Sequence, residues 1–212
     1  MPKWMRLKKH CRNYKNKKDH PMRIILGSQS SGRKKILKKM GYEFGVLPSY
    51  IDEKQIRFED PVKLTLALAN AKADALLPKI KSDAILITAD IVVSCNGRIF
   101  EKPSSDEEAK EYLRMCAKYS AETIGSIVVV NTKTGARVQG TDICKIWFKE
   151  FPQDVIDRYV ASRDPFLHAG GFDYEHPLLF PYLDRIEGEP ESVIGLPMKL
   201  TDELIKLVSF EV

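Results

Sequence analysis

The stretch "DAILITADIVV", Asp83 to Val93, restricts the fold more than any other part of this chain. After Asp83 it is apolar except for Thr88 and Asp90. That pattern belongs to a strand covered on both faces, as in sheets with helices packed on each side. A carboxylate inside the run is the anomaly, because an ionised group loses its hydration on burial and persists there only with partners.

The segments around it alternate between strand and helix signals. Met22 to Leu26 is a short apolar run ending at Gly27. From Arg33 the pattern turns helical, with Ile36, Leu37 and Met40 on one stripe and Gly41 as its stop. Tyr42 to Leu47 reads as a second strand leading into "PSYIDE". Asp60 and Pro61 open a helix as N-cap and first residue, and Val62, Leu66, Ala69, Ala73 and Leu76 form its buried face. Lys72 lies inside that helix. Ser105 and Glu108 predict a capping box on a helix with a stripe of Ala109, Tyr112, Leu113, Cys116 and Ala117. "ETIGSIVVVN", the turn "TKTG" and "ARVQGTDICKIWF" read as a hairpin of two long strands. Further helices start at Pro152 and in "TDELIKLV". The hairpin breaks a purely parallel order, so the expectation is an α/β fold with a mixed central sheet flanked by helices.

A length of 212 residues, 43% of them hydrophobic, suits one domain with a sizeable core. The four cysteines (Cys11, Cys95, Cys116, Cys144) are scattered without a C-x-x-C pair, which argues for a reducing, cytoplasmic setting. No apolar run approaches the roughly 20 residues needed to cross a bilayer. The formal charge of +5 is carried by one end: residues 1–20 hold eight Lys/Arg against Asp19 alone, leaving the remainder at −2. Residues 1–21 therefore read as a basic, disordered tail and 22–212 as the domain, and a nucleic-acid partner is not expected. The tail is read as a solvated extension or a stretch before a second start at Met22, ahead of a targeting peptide or an RNA-binding arm.

"GSQSSGRK", Gly27 to Lys34, has the glycine spacing of the G-x-x-x-x-G-K-[ST] phosphate loop, with Arg33 and Lys34 where Lys and Ser/Thr belong. Together with the Asp-terminated apolar strand this allows a P-loop kinase or NTPase reading. Against it, the loop lacks the magnesium-binding hydroxyl, and Arg does not replace a compact ammonium. The contents still favour phosphate. Ser28, Ser30 and Ser31 bring hydroxyls, Gly27 and Gly32 permit close backbone approach, and a helix N-terminus follows. Arg33 adds a planar fork and Lys34 a point charge. A polar turn capping a helix with solvated basic residues is the plain alternative.

"LGSQSSGRKKIL" resembles the opening motif of the Maf family of nucleotide pyrophosphatases. The likeness continues through "IDE", "LALANAKA", "ITADIVV", "EKP", "HAGGF", "YEHPL" and "ESVIGLP", in the family's order and spacing, from Met22 to about Leu200. The resemblance implies a two-lobed α/β fold around a cleft, similar to inosine triphosphate pyrophosphatases and often a homodimer. It also implies cleavage of a nucleoside triphosphate to monophosphate and pyrophosphate, dependent on a divalent metal (Mg2+ or Mn2+, with Co2+ an alternative). "YEHPLLFPYLDRIEG" looks more like the eukaryotic branch.

Carried over by position, the resemblance singles out Ser28, Arg33, Lys34, Glu53, Lys72, Asp90 and Lys102, with Ser30 in the same loop. Attack of water on the α-phosphorus with departure of pyrophosphate calls for carboxylates and for cations along the phosphates. Asp90 is then the general base or water orienter and shares the metal with Glu53. Arg33, Lys34, Lys72 and Lys102 neutralise charge. Left to themselves, Asp90 reads as a buried structural carboxylate, and Lys72, Lys102 and Glu53 as surface charges. His168 and His176, eight apart around two glycines, read as polar loop residues rather than a metal pair. For the base, the resemblance points to Glu175, where Glu accompanies 7-methyl-GTP hydrolysis and Gln dTTP/UTP hydrolysis. Gly32 and Ile91 depart from the Trp and Gln usual in 7-methyl-GTP members, and the absent Trp removes a stacking platform for a cationic base. The expectation is a guanine-type triphosphate. A nucleotide- or RNA-binding regulator without turnover is the non-enzymatic alternative.

Overall fold

The structure is a computed structural model that describes residues 22–209, so the basic segment 1–21 lies outside the described residues. One mixed sheet organises the chain. β1 (Arg23–Leu26) lies between β2 (Phe44–Val46) and β3 (Ala84–Cys95) and runs parallel to both. Beyond β3 the order continues antiparallel through β5 (Ala121–Asn131), β6 (Arg137–Phe148) and β7 (Leu183–Glu187). A short strand β4 (Arg98–Phe100) pairs back on the end of β3. The expected hairpin is therefore β5–β6, and it makes the sheet mixed.

The helices are α1 (Ser31–Lys39), α2 (Pro61–Leu76), α3 (Asp106–Lys118), α4 (Gln153–Ala161), α5 (Pro190–Ile194) and α6 (Met198–Ser209). Alternation along β3 sorts them onto its two faces. Ile85, Ile87 and Ala89 bury against Ile36 and Leu37 of α1 and Leu204 and Ile205 of α6. Ala84 and Leu86 face Ala69, Ala73 and Leu76 of α2. Val93 and Cys95, further along, join Phe100, Leu113, Ile156 and Tyr159 in a second core. Two lobes thus share the long strands, each with its own apolar cluster.

The junction of the lobes is where β3 loses its neighbours on one edge. β1 pairs with it only from Ala84 to Ile87, and β4 takes over from Val93. The amide of Gly27 still donates to the carbonyl of Ile87 (2.7 Å), and the chain then turns away into α1. Thr88 to Val92 is left without a strand partner on that edge, beyond the carboxyl end of β1, the place where open α/β sheets leave room for ligands.

Local expectations hold in part: the buried face of α2 runs through Leu64, Leu68, Ala69, Ala73 and Leu76, while Val62 and Leu66 are only half-buried. Asp60 caps α2 through Val62 N (2.8 Å) and Lys63 N (3.2 Å). Ser105 caps α3, but the Glu108 carboxylate accepts from the amide and hydroxyl of Ser104 rather than closing a box onto Ser105. Pro152 stands at the cap of α4 and Gln153 begins it. β4, β7 and α5 fall outside the expected elements, because runs of three to five residues carry too few side chains to display a period.

Candidate active site

The loop after β1 is organised by its own hydroxyls. Ser28 Oγ accepts from the amide of Ser30 (3.2 Å), and Ser30 Oγ caps α1 by accepting from the amide of Arg33 (3.3 Å). The Arg33 side chain turns inward. It is 8% exposed, donates from Nη1 to Ser28 Oγ (3.2 Å) and from Nε to the carbonyl of Gly195 (3.1 Å). Burial lowers the pKa of its guanidinium, while Asp90 and then Glu53 raise it again.

Both loop glycines pack tightly against the protein. A Cβ on Gly27 would lie 2.6 Å from Thr88 Cγ2 and 2.8 Å from Leu76 Cδ1; on Gly32 it would lie 2.5 Å from Ile194 Cγ2. The close approach read from the sequence is an approach to the protein's own β3, α2 and α5. The resemblance to the phosphate-loop motif is therefore one of spacing. Lys34, half-buried, and Lys102, exposed, make no ion pair among the described residues.

Asp90 sits on the α2 side of β3, within the unpaired edge. The ammonium of Lys72, reaching down from α2, bonds Asp90 Oδ1 and lies 3.0 Å from Glu53 Oε1. Lys72 and Asp90 side chains are each 9% exposed, while Glu53 is 53% exposed on a 3-10 turn, Glu53–Gln55. Burial pushes the Asp90 carboxyl above the ordinary aspartate range; Lys72 and Arg33 oppose that rise and Glu53 adds to it. The carboxylate therefore lies beside cations that oppose the effect of its desolvation. Lys72 stands between two carboxylates, where an all-oxygen donor set fits a hard divalent ion such as Mg2+ or Mn2+.

The sequence reading missed what supports this cluster. Asp90 lies across from Ser126 on β5, itself across from Thr141 on β6. Ser126 Oγ bonds Thr65 Oγ1 of α2 (2.7 Å) and Thr141 Oγ1 (2.8 Å), a buried hydroxyl row beside the carboxylate. Arg57 joins the Glu53 turn to the Lys102 loop through Glu101 (3.2 Å). Gly195, inside the quoted "ESVIGLP" but given no role, is the acceptor that fixes Arg33. None of these links has a periodic or local signal.

The three base positions separate into two groups. Gly32 meets Ile194, and a Cβ on Gly195 would lie 3.4 Å from Ile91 Cγ2, so Gly32 and Ile91 converge on the end of α5. Glu175 is more exposed and pairs with Lys35 of α1 (2.6 Å). His176 accepts from Leu178 N at Nδ1 and packs edge-on to Tyr159, while His168 stands by Asp164.

A buried carboxylate, a second carboxylate on a neighbouring turn and an inward-facing arginine thus come together at the open end of β1 in an α/β fold. The chain belongs to the Maf family: the family model described as "Maf-like protein" matches residues 23–208. A 7-methyl-GTP pyrophosphatase of Dictyostelium discoideum is 42% identical over 193 residues, covering 88% of this chain and 97% of the relative. A nucleoside triphosphate pyrophosphatase of Synechococcus sp. (strain JA-2-3B'a(2-13)) is 34% identical over 188 residues, covering 88% and 94%. Among solved structures, a HAM1 protein from Coxiella burnetii aligns with a TM-score of 0.44 at 15% identity, over 90% of this chain and 100% of that one.

Proposed function

We propose that the chain hydrolyses a nucleoside triphosphate between its α and β phosphates, releasing monophosphate and pyrophosphate. The observation that carries the reading is the placement of Asp90, buried on the unpaired edge of β3 with Lys72 at one carboxylate oxygen and Arg33 nearby. Lys72 occupies Oδ1, which leaves Oδ2 to take the proton of the attacking water. Arg33, anchored by Gly195 and Ser28, is preorganised for phosphate oxygens and costs no reorganisation when negative charge grows on the leaving group. Lys34 and Lys102, which make no ion pair among the described residues, supply cations for the rest of the triphosphate, with Ser28 and Ser30 as hydroxyl donors. Glu53 and Asp90 would hold a divalent ion, Mg2+ or Mn2+ with Co2+ as a substitute, which would supply positive charge to the phosphates.

The proposed base is guanine-type, 7-methyl-GTP included. A carboxylate at Glu175 suits guanine, whose N1–H and N2 amino group are adjacent donors, and it must leave Lys35 to read them. A relative named 7-methyl-GTP pyrophosphatase at 42% identity supports the same choice. Buried thiols at Cys95, Cys116 and Cys144 support the proposed reducing, cytoplasmic setting. Among the described residues no helix is long and apolar enough to cross a membrane. The proposed homodimer rests on the family resemblance, and light scattering tests it.

The decisive assay follows products from α-labelled GTP, 7-methyl-GTP, UTP and CTP with magnesium, manganese and cobalt. Monophosphate with pyrophosphate is expected, fastest from the guanine substrates. Diphosphate with orthophosphate would favour the P-loop kinase or NTPase reading, and binding without turnover the regulator. UTP or CTP turned over as well as the guanine substrates overturns the base assignment alone.

A further inference from the structure

The loop between α4 and β7 gathers a second set of metal-binding side chains, apart from Glu53 and Asp90. One ligand atom from each of Asp164, His168 and Asp173 lies within 4.8 Å of the others, all three residues being partly buried. His168 Nε2 is 3.4 Å from Asp164 Oδ2. Two ligand atoms bound at about 2.1 Å to one tetrahedral ion stand about 3.4 Å apart, so this pair needs no rearrangement.

The backbone around the three is already fixed. Tyr159, fully buried on α4, donates its hydroxyl to Asp164 Oδ2 (3.1 Å) and accepts from the amide of Asp173 (2.8 Å). One hydroxyl thereby orients a carboxylate and places the residue bearing the other, as outer partners do in metal sites. Asp173 Oδ1 accepts from the amide of Glu175 (2.9 Å), while Asp164 Oδ1 and Asp173 Oδ2 have no hydrogen-bond partner among the described residues. Two carboxylates and a neutral imidazole balance one divalent charge. An imidazole with two carboxylates favours zinc-like transition ions over Mg2+, which prefers oxygen alone.

We propose that Asp164, His168 and Asp173 bind a divalent transition-metal ion, Zn2+ in type, at a site separate from the phosphate cleft. Its place explains what the ion does. The amide of Gly170, between His168 and Asp173, donates to the carbonyl of Glu101 beside Lys102 (3.0 Å), and Glu175 follows two residues after Asp173. An ion here stiffens the loop that joins the Lys102 segment to the proposed base-reading carboxylate.

The test uses the full chain carrying Glu53→Gln and Asp90→Asn, which removes the carboxylates of the cleft. Titration with Zn2+ by calorimetry, and with Co2+ by visible absorption, is expected to show one equivalent bound and a rise in Tm. Adding His168→Ala should abolish that equivalent and the Tm rise; Asp173→Asn should weaken binding at least tenfold. Far-UV circular dichroism identifies the folded variants, and Asp173→Asn decides the question if His168→Ala does not fold. No stoichiometric binding in the cleft variant, or binding unchanged by either loop substitution, overturns the proposal without touching the triphosphatase reading.

Discussion

Lys72 and Asp90, eighteen residues apart in sequence, form a buried ion pair between α2 and β3 in which the ammonium also faces Glu53. Among the groups that hold the Asp90 carboxyl down, Lys72 is the strongest, working against desolvation. Removing its charge therefore raises that pKa further. Lys72→Met should move the acid limb of the kcat–pH profile to higher pH than in the wild type, besides lowering the maximum. An acid limb that stays in place would mean that Asp90 is not the group titrating in turnover.

Asp90→Asn removes the proposed general base and should cut pyrophosphate release by about 10²–10⁴-fold. It also tests linkage. A carboxyl whose pKa folding raises binds its proton more tightly in the native state, so stability declines as pH climbs from the ordinary aspartate range through the folded value. Melting curves across that range should slope less for Asp90→Asn than for the wild type.

Gly32 has no room for a side chain because Ile194 fills the space, with Cγ2 2.5 Å from an added Cβ. Gly32→Ala should cost about 1–3 kcal/mol in denaturant unfolding. Combining it with Ile194→Ala should recover part of that loss. The absent Trp at this position is thus a space taken by α5, and Gly32→Trp is expected to displace the helix rather than add a stacking surface.

The helix carrying Lys72 starts from the Asp60 cap. Asp60→Ala should cost about 1 kcal/mol, within a range of roughly 0.5–2, seen as a lower urea midpoint with an unchanged slope.

Deleting residues 1–21 should leave kcat/KM for the triphosphate within about twofold of the full chain, since the proposed machinery lies between Ser28 and Glu175. A large loss at low salt that shrinks as salt rises, with the salt sensitivity lost along with the tail, would point to the tail as a binding element.

Much was legible where the physics is local. The apolar run with a carboxylate in it announced a buried central strand, and Asp60-Pro61 marked a helix start. "GSQSSGRK" was recognisable as a strand–loop–helix turn that gathers hydroxyls and cations. Spacing alone did not show that its glycines also pack against β3, α2 and α5, because close approach to a ligand and close approach to the protein leave the same mark in a sequence. The capping box at Ser105 failed for a similar reason: Ser104, one residue earlier, competes for the same carboxylate.

By itself, the sequence determined the longer elements, the mixed character of the sheet, Asp90 as a charge in an apolar strand and Arg33 as a cation of the loop after β1, since each follows from side chains within a few turns of one another. The tertiary structure decided how those charges are used. It left one edge of β3 unpaired at Asp90, lowered Lys72 onto it from α2, and set Gly195 162 residues along the chain as the anchor of Arg33. It also placed His168 beside Asp164. Contacts between distant segments depend on register and helix placement, which the whole core settles together, and no local pattern encodes them.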